Sequence, residues 1–521
     1  MAAPLPCRCA TTSWALAALA LLLGGCLTRQ RVRHDLRRER EAAFQAWRRA
    51  RAGQPSTRET LRGELSPTDA QLVALGSNKQ LQAMLEEKRV ADGRIAEAWS
   101  GALPKVELTA SYRRQDEVPS FGLSDFADRG GGQAEGAESP GAAPTEGAPT
   151  GAEGAAPAAA PSGEDGAGRI SIGDVHSYSL NATLRQPIYR GGAVAAGIRA
   201  AVVYDLLADE KVRGVVQDVL FQTRDRYIHV LLARELVEVS EADLARVRRH
   251  LADVQKKRDH GVATPFDVLR ARVEVSNVEA ELIERQNALN LARTSLLKTL
   301  GVSQDSTVEL TGQLVHQPVE PGLEEAVAAA FGDRPALLQA ELGIRLQREA
   351  VRAARAGWWP AVDAYFSQVY AKPDPHSAST IAWNDAWNAG VMLVWPLFDG
   401  FRTAARVEQE EAKLRRRQIE LLEAEETVLL EIRQALLSIE DAEKFVRSQS
   451  ANLERAREGL RLAEAGYREG VTTEVEVLDA RQALSRTQAL YYRAIHQHMR
   501  ARLLLERATA SLRPPGKGAE E

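Results

Sequence analysis

Gly261-Val-Ala-Thr-Pro-Phe-Asp-Val-Leu-Arg-Ala-Arg272 recurs 209 residues further on (261 to 470) as Gly470-Val-Thr-Thr-Glu-Val-Glu-Val-Leu-Asp-Ala-Arg481. Gln186-Pro-Ile-Tyr-Arg-Gly191 and Trp395-Pro-Leu-Phe-Asp-Gly400 share that offset, as do Ala292-Arg293 and Ala501-Arg502. The chain is therefore an internal duplication, to be read as two copies of one plan. Further upstream, Gly101-Ala-Leu-Pro-Lys-Val106 echoes Gly357-Trp-Trp-Pro-Ala-Val362 at an offset of 256 (104 to 360). The 47 extra residues lie between Pro104 and Pro187, where the Ala/Gly/Pro-rich stretch from Gly130 to Gly168 accommodates them.

Upstream of Gly261 the pattern from Gly191 to Asp259 is continuous and poor in breakers. At 1.5 Å per residue it predicts a helix on the order of 100 Å long. The turn at 261–265 reverses this helix into one about half as long, ending near Gly301. Another half-length helix is predicted from Pro67 to Gly101, its start marked by Ser66-Pro67-Thr68-Asp69 and its end by Pro104. Stacked end to end, the two short helices match the long one. The second copy repeats the scheme: a half-length helix from Leu323 to Gly357, a long helix from Phe401 to Glu469, a reversal at 470–473 and a half-length helix to about Leu512. The first repeat thus spans 64–312 and the second 323–512, with a linker at 313–322 and a tail at 513–521.

Between these helices the period changes. Val106, Leu108, Ala110 and Tyr112 alternate with Lys105, Glu107, Thr109, Ser111 and Arg113. His176, Tyr178, Leu180, Ala182 and Leu184 alternate with Ser177, Ser179, Asn181, Thr183 and Arg185. Both are period-2 strands, placed at 105–114 and 174–187 and joined by a loop at 115–173. The second repeat supplies a pair at 361–371 and 387–396, with less clean alternation at Val391, Met392 and Leu393. In a soluble sheet the apolar faces would meet a core, but the surrounding helices offer no sheet partner. Aromatics cluster at the strand ends, with Trp99, Trp358, Trp359, Trp395 and Tyr189 on one side and Trp383 and Trp387 near the other. Apolar-out, polar-in strands with flanking aromatics mark a transmembrane β-barrel. Four strands cannot close one, and an open edge is not tolerated in lipid. Several protomers must share the barrel, and three would give twelve strands. The fold class expected from the residues is mainly α with a transmembrane β part, long antiparallel helices being joined to four strands per protomer in a shared β-barrel.

The chain's start fits export. Trp14 to Leu23 is an apolar core too short to span a bilayer, and Leu23-Gly24-Gly25-Cys26 is similar to a lipobox. Residues 1–25 then form a lipoprotein signal peptide and Cys26 the lipidation site. The rival reading is a signal anchor held by Arg29, Arg31, Arg33, Arg37, Arg38 and Arg40. Residues 26–63 form an anchored arm, either solvated or lying on anionic headgroups. All three cysteines (Cys7, Cys9, Cys26) sit in this leader region, so no disulfide or Cys-based metal site is expected beyond it. Aromatic content of 5% with abundant Ala, Leu, Glu and Arg favours long helices. A net charge of -4 gives no reason to expect nucleic acid as a partner.

In this order and spacing, the duplicated Pro-led strands, the Gln-Pro-Ile-Tyr and Trp-Pro-Leu-Phe-Asp-Gly strand exits and the two Gly-Val-x-Thr reversals resemble the TolC family of outer-membrane channels. The lipobox is like that of its efflux lipoproteins. The resemblance covers about 64–512 and implies a homotrimer in outer-membrane lipid, its helical tunnel crossing the periplasm and narrowing at the inner tip. There a periplasmic adaptor (membrane fusion) protein would link it to an inner-membrane RND or ABC transporter. The segments 115–173 and 373–385 would be extracellular loops, and the low-complexity run is expected to be a disordered surface segment rather than a plug.

The family's acidic constriction maps onto Glu476 and Asp479, six and nine residues beyond Gly470. Spacing of i and i+3 puts both on one helix face, so threefold symmetry would gather six carboxylates and make the pore cation-selective. Solvated helix carboxylates are the plain alternative. Asp267 and Tyr467 match positions that in the family latch the tip closed. Thr472 stands where the family's arginine is found, which removes the familiar latch salt bridge and leaves a Tyr467–Asp267 hydrogen bond or Arg468 as substitutes. No catalytic residue, cofactor site or metal-ligand set is expected: there is no P-loop or nucleophile elbow, and His496 and His498, two apart, face different ways. Two other functions fit the same residues. One is an exit duct for type I protein secretion; the other is a lipid-anchored periplasmic coiled-coil scaffold without a pore, which accounts for the helices and the lipobox but not for the four alternating strands with terminal Trp.

Overall fold

A computed structural model describes residues 34, 36–46, 48, 61–117, 120–122, 169–171, 174–377 and 380–515. The expected signal peptide with Cys26 and the stretch from Gly130 to Gly168 lie outside these residues. In the arm, 36–46 are helical.

The first repeat contains β1 (Arg62–Leu65), α1 (Pro67–Ser77), α2 (Lys79–Ser100), β2 (Lys105–Arg114), the short β3 (Ser120–Gly122) and β4 (Arg169–Ser171), β5 (His176–Arg190), α3 (Ala193–Asp259), α4 (Pro265–Leu300) and β6 (Thr307–Leu310). The second contains α5 (Leu323–Asp333), α6 (Pro335–Arg355), a 3-10 turn (Ala356–Trp358), β7 (Ala361–Lys372), β8 (Asn384–Val394), α7 (Arg402–Arg468) and α8 (Glu474–Ala508). The two long helices are each 67 residues, uninterrupted by proline. Two compact units form, one from residues 1–89, 206–341 and 419–521, the other from 90–205 and 342–418. Each draws on both repeats, so 64–312 and 323–512 mark a duplication in sequence and not two separately folded bodies.

Four expectations need correction. The helix expected over 67–101 is broken at Asn78, and the one over 323–357 at Arg334. Asn78 breaks its helix through its side chain: Oδ1 accepts from the N–H groups of Gln80 (2.9 Å) and Leu81 (3.1 Å), capping α2. Arg334 is forced out of the helical region by Pro335, to φ -71 and ψ 119. The strand expected at 387–396 runs from Asn384 to Val394, ending before Pro396, which has no N–H for a ladder. The strand expected at 174–187 continues to Arg190 through a register shift between Pro187 and Tyr189. A parallel pair, β1 with β6, was not foreseen.

The two helix breaks are equivalent. Asn78 and Arg334 are 256 apart (78 to 334), the offset of the strand prolines. Each backbone N–H closes on the carbonyl four residues back, Ala74 and Ala330, both fully buried. Each side chain ties the break to the end of the returning helix of its own repeat. Asn78 Nδ2 donates to Thr299 O (2.7 Å) and Arg334 Nη1 to Ala508 O (3.1 Å), carbonyls 209 apart (299 to 508).

The larger unit's main core joins Leu65, Val308 and Leu310 of the parallel pair to Val230 and Leu231 on α3, Leu296 and Leu300 on α4 and Ile495 on α8. The Tyr227 hydroxyl lies between the carbonyls of Leu65 (2.8 Å) and Thr311. In the smaller unit the four main strands form one antiparallel sheet in the order β2-β5-β7-β8. Among the described residues no helix is long and apolar enough to cross a membrane.

Candidate functional site

Two regions carry the chemistry: the faces of the four-stranded sheet in the smaller unit, and the helix reversals in the larger one.

Register places like with like across the sheet. Val106 pairs with Leu184, Leu108 with Ala182, Ala110 with Leu180 and Tyr112 with Tyr178. On the same face Leu184 meets Phe366 and Leu180 meets Tyr370, and β8 adds Trp387, Ala389, Val391 and Leu393. Near one end the rings of Tyr112, Tyr178, Trp383 and Tyr370 follow one another at 5.1, 5.9 and 5.1 Å. At the other, the Trp395 indole N–H donates to Trp358 O (3.1 Å). The opposite face is polar. Ser367 Oγ donates to Asn181 Oδ1 (2.7 Å), and the buried Asp363 accepts at Oδ2 from Arg185 (2.7 Å) and Arg190 (2.9 Å). Both edges are exposed, with Val106 and Leu108 on β2 and Val391 and Leu393 on β8 open to solvent. One sheet with an apolar face, a polar face and two unpaired edges is a sector of a shared barrel.

At the reversals, Gly261 (φ 73) and Gly470 (φ 74) take the left-handed conformation that ends each long helix. Each returning helix then starts on a capping box. Asp267 Oδ2 accepts from Thr264 N (2.7 Å) and Oγ1 (2.8 Å), and Glu476 Oε2 accepts from Thr473 N (2.7 Å) and Oγ1 (3.2 Å). These bonds hold the Asp267 carboxyl below its ordinary range, the backbone N–H of Thr264 contributing most. Two of the anticipated site residues are therefore also the caps of their own helices. Asp479 is exposed on the face of Glu476 one turn on. Its counterpart in the first repeat is Arg270 (270 to 479), so only the second reversal carries an acidic pair.

The anticipated Tyr467–Asp267 bond is not formed within the protomer. Tyr467 instead packs on α3, with Lys257 Nζ 3.6 Å from its ring centroid and the His250 ring 6.0 Å away. Arg468 turns back to its own helix, donating to Glu464 O (3.3 Å). Thr472 closes the reversal locally: its hydroxyl donates to Ala463 O (3.0 Å) and its side chain fills the space beside Gly466. Between the two hairpins, buried His250 lies 3.2 Å from Glu474 Oε1, and within the second hairpin buried Arg481 reaches Glu464 (3.4 Å). His250, Lys257, Glu474 and Arg481 were missed in the sequence, where nothing pairs α3 with α7 and α8 across some two hundred residues.

Burial pushes the His250 pKa below its ordinary 6.5, and Arg481 adds to this, against the opposing pull of Glu474. A histidine with a lowered folded pKa stays neutral while the unfolded chain takes up a proton. The stability it supports is thus complete above 6.5 and lost as pH falls toward the folded pKa. Acidification below pH 6.5 is expected to lower the hydrogen-exchange protection factors of residues 246–260 and 464–481, measured relative to the intrinsic rate at each pH, and His250→Gln to flatten that dependence. An identical pH profile in the variant would refute the assignment.

The sequence profile of the outer membrane efflux protein family matches residues 151–302 and 327–511. The chain belongs to this family. Its fold is that of outer-membrane channels and its place the outer membrane. Among curated relatives it is 23% identical to the alkaline protease secretion protein AprF of Pseudomonas aeruginosa over 317 residues, 60% of this chain and 65% of AprF. It is 22% identical to the outer membrane efflux protein BepC of Brucella suis over 63% of this chain and 71% of BepC. The match thus spans a little under two thirds of AprF. The crystal structure of a membrane protein from Pseudomonas aeruginosa superposes with a TM-score of 0.67 at 19% identity, covering 85% of this chain and 93% of that one.

Proposed function

We propose that the protein is the outer-membrane exit duct of a tripartite efflux system and a conduit rather than an enzyme. It works as a homotrimer, anchored by acylated Cys26, that receives small molecules or ions from a periplasmic adaptor and an RND or ABC inner-membrane transporter. The observation that carries this reading is the open four-stranded sheet with one apolar and one polar face, which needs partner strands to exist in lipid. The similarity to AprF favours a second reading, an exit duct for a secreted polypeptide.

The acidic pair at the second reversal would set the pore's ion preference. Planar-bilayer recordings of the purified protein should give a cation-selective reversal potential and block by multivalent cations, both lost in the Glu476→Gln, Asp479→Asn double variant. The capping box survives in that variant, since a glutamine oxygen can still accept from Thr473 N and Thr473 Oγ1 still accepts from the backbone N–H at 476. A monomer by detergent-corrected mass, with no conductance, would leave the barrel unclosed and favour the pore-free scaffold.

Tyr467 holds the second reversal against α3 through Lys257. Replacing Tyr467 with leucine should raise open-state conductance or opening frequency several-fold, the contact amounting to about 1 kcal/mol. Unchanged recordings from both Tyr467→Leu and Lys257→Ala would dismiss the contact as a latch.

A further inference from the structure

The linker at 313–322 carries a histidine to the side of the helices, and the structure brings it together with two other ligand types. His316 Nε2 lies 2.6 Å from Glu443 Oε2 on α7, and His498 Nε2 on α8 lies 3.3 Å from the same oxygen. The imidazole rings meet edge to face at 4.6 Å, and one ligand atom from each of the three residues lies within 4.8 Å of the others. His498 is completely buried, yet neither of its ring nitrogens makes a hydrogen bond among the described residues. The 3.3 Å approach to Glu443 brings the atoms near one another without hydrogen-bond geometry. An unbonded buried imidazole has lost its hydration without a replacement, so this arrangement calls for a partner that the described residues do not provide.

We propose that His316, Glu443 and His498 bind one divalent transition-metal ion of the zinc or copper class. Two imidazoles and one carboxylate are the donor set of a three-ligand zinc site with a fourth position left for water. Imidazole selects such ions over magnesium and calcium, which take oxygen donors. Ligand atoms about 2.0–2.1 Å from an ion stand roughly 3.4 Å apart in a tetrahedral site, so small rotations of the three side chains suffice. Binding through Nε2 of His498 leaves one orphaned nitrogen where there are now two. The ion would fasten the linker between the repeats to the helices on which Glu443 and His498 lie. Arg502 already holds the neighbouring residue there, donating to Gln317 Oε1 (3.1 Å).

The test uses the full-length protein in detergent, purified without a histidine tag, titrated with zinc chloride and with magnesium chloride as control. The expected result is one zinc per chain by equilibrium dialysis and elemental analysis, with a raised melting temperature that magnesium does not reproduce. His316→Gln and Glu443→Gln should each weaken zinc binding by roughly 100-fold and abolish the thermal shift. His316 lies in the linker and is partly exposed, so its loss leaves the helix core in place and the variant remains foldable. Zinc that binds no better than magnesium, or binds His316→Gln as tightly as the parent, overturns the proposal. In the second case the ion sits on other acids, such as those at the second reversal.

Discussion

Leu184→Arg is expected to remove the protein from the outer membrane, while Thr183→Arg, one residue away, leaves it there. Leu184 lies near the middle of β5 on the apolar face, between Val106 and Phe366. Thr183 points to the other face, opposite Glu107 and Ser367. A charge on the lipid face of a barrel near the midplane costs about 2–4 kcal/mol, and in the proposed trimer that cost falls three times on one barrel. On the lumen side an arginine stays hydrated and finds Glu107 across the strand. Cell fractionation and heat-modifiable oligomers on gels provide the readout. Equal outcomes for the two variants would mean that the sheet does not face lipid as its register implies.

Gly301→Ala should be among the most damaging changes in the helical unit, costing roughly 2–5 kcal/mol. Gly301 ends α4 at φ +80, and a Cβ there would stand 2.1 Å from the Ser77 carbonyl oxygen. The left-handed conformation alone costs a non-glycine residue about 1–2 kcal/mol. Displacing packed backbone adds about 1–3 kcal/mol. The backbone at Ser77 cannot retreat freely, because the next residue, Asn78, is tied to Thr299. Ala510 is the counterpart (301 to 510) and takes φ 56 as an alanine. Ala510→Gly should therefore gain up to about 1 kcal/mol. Melting temperatures of the detergent-extracted protein should move in opposite directions; a neutral Gly301→Ala would show that the end of α1 yields.

Much of this architecture is written locally. The reversals were legible because glycine, threonine and an acid three residues on each act within one turn. The strands of the first repeat were legible because apolar and polar residues alternate without a fault. That β8 starts at Asn384 was not, because its first residues, Asn384 and Asp385, which pair with Ala371 and Tyr370, are polar and disfavoured in strands. Asn78 was unreadable as a break because it sits in a helix-permissive run and acts through its side chain. At the tips, the Thr473-x-x-Glu476 capping signature was present in the sequence, although Glu476 was read only as a pore charge. Tyr467 was assigned a partner by family pattern, whereas its ring is held by Lys257 from a helix distant in sequence. His316, Glu443 and His498 lie on three elements, 127 residues separating the first two, and no spacing rule unites them.

The paired helix breaks also date the molecule. Two copies that share a broken helix, the buried alanine before the break and the tether to the returning helix inherited them from one parent, so the break is older than the duplication. That parent had one hairpin and two strands, and six of them would have had to meet to close a ring of twelve. Joining two in one polypeptide halves the number of chains that must find each other. It also released the copies from identity, so that Arg270 and Asp479 now occupy equivalent places, and in the proposed trimer charge would alternate around a ring that once had no way to tell its neighbours apart.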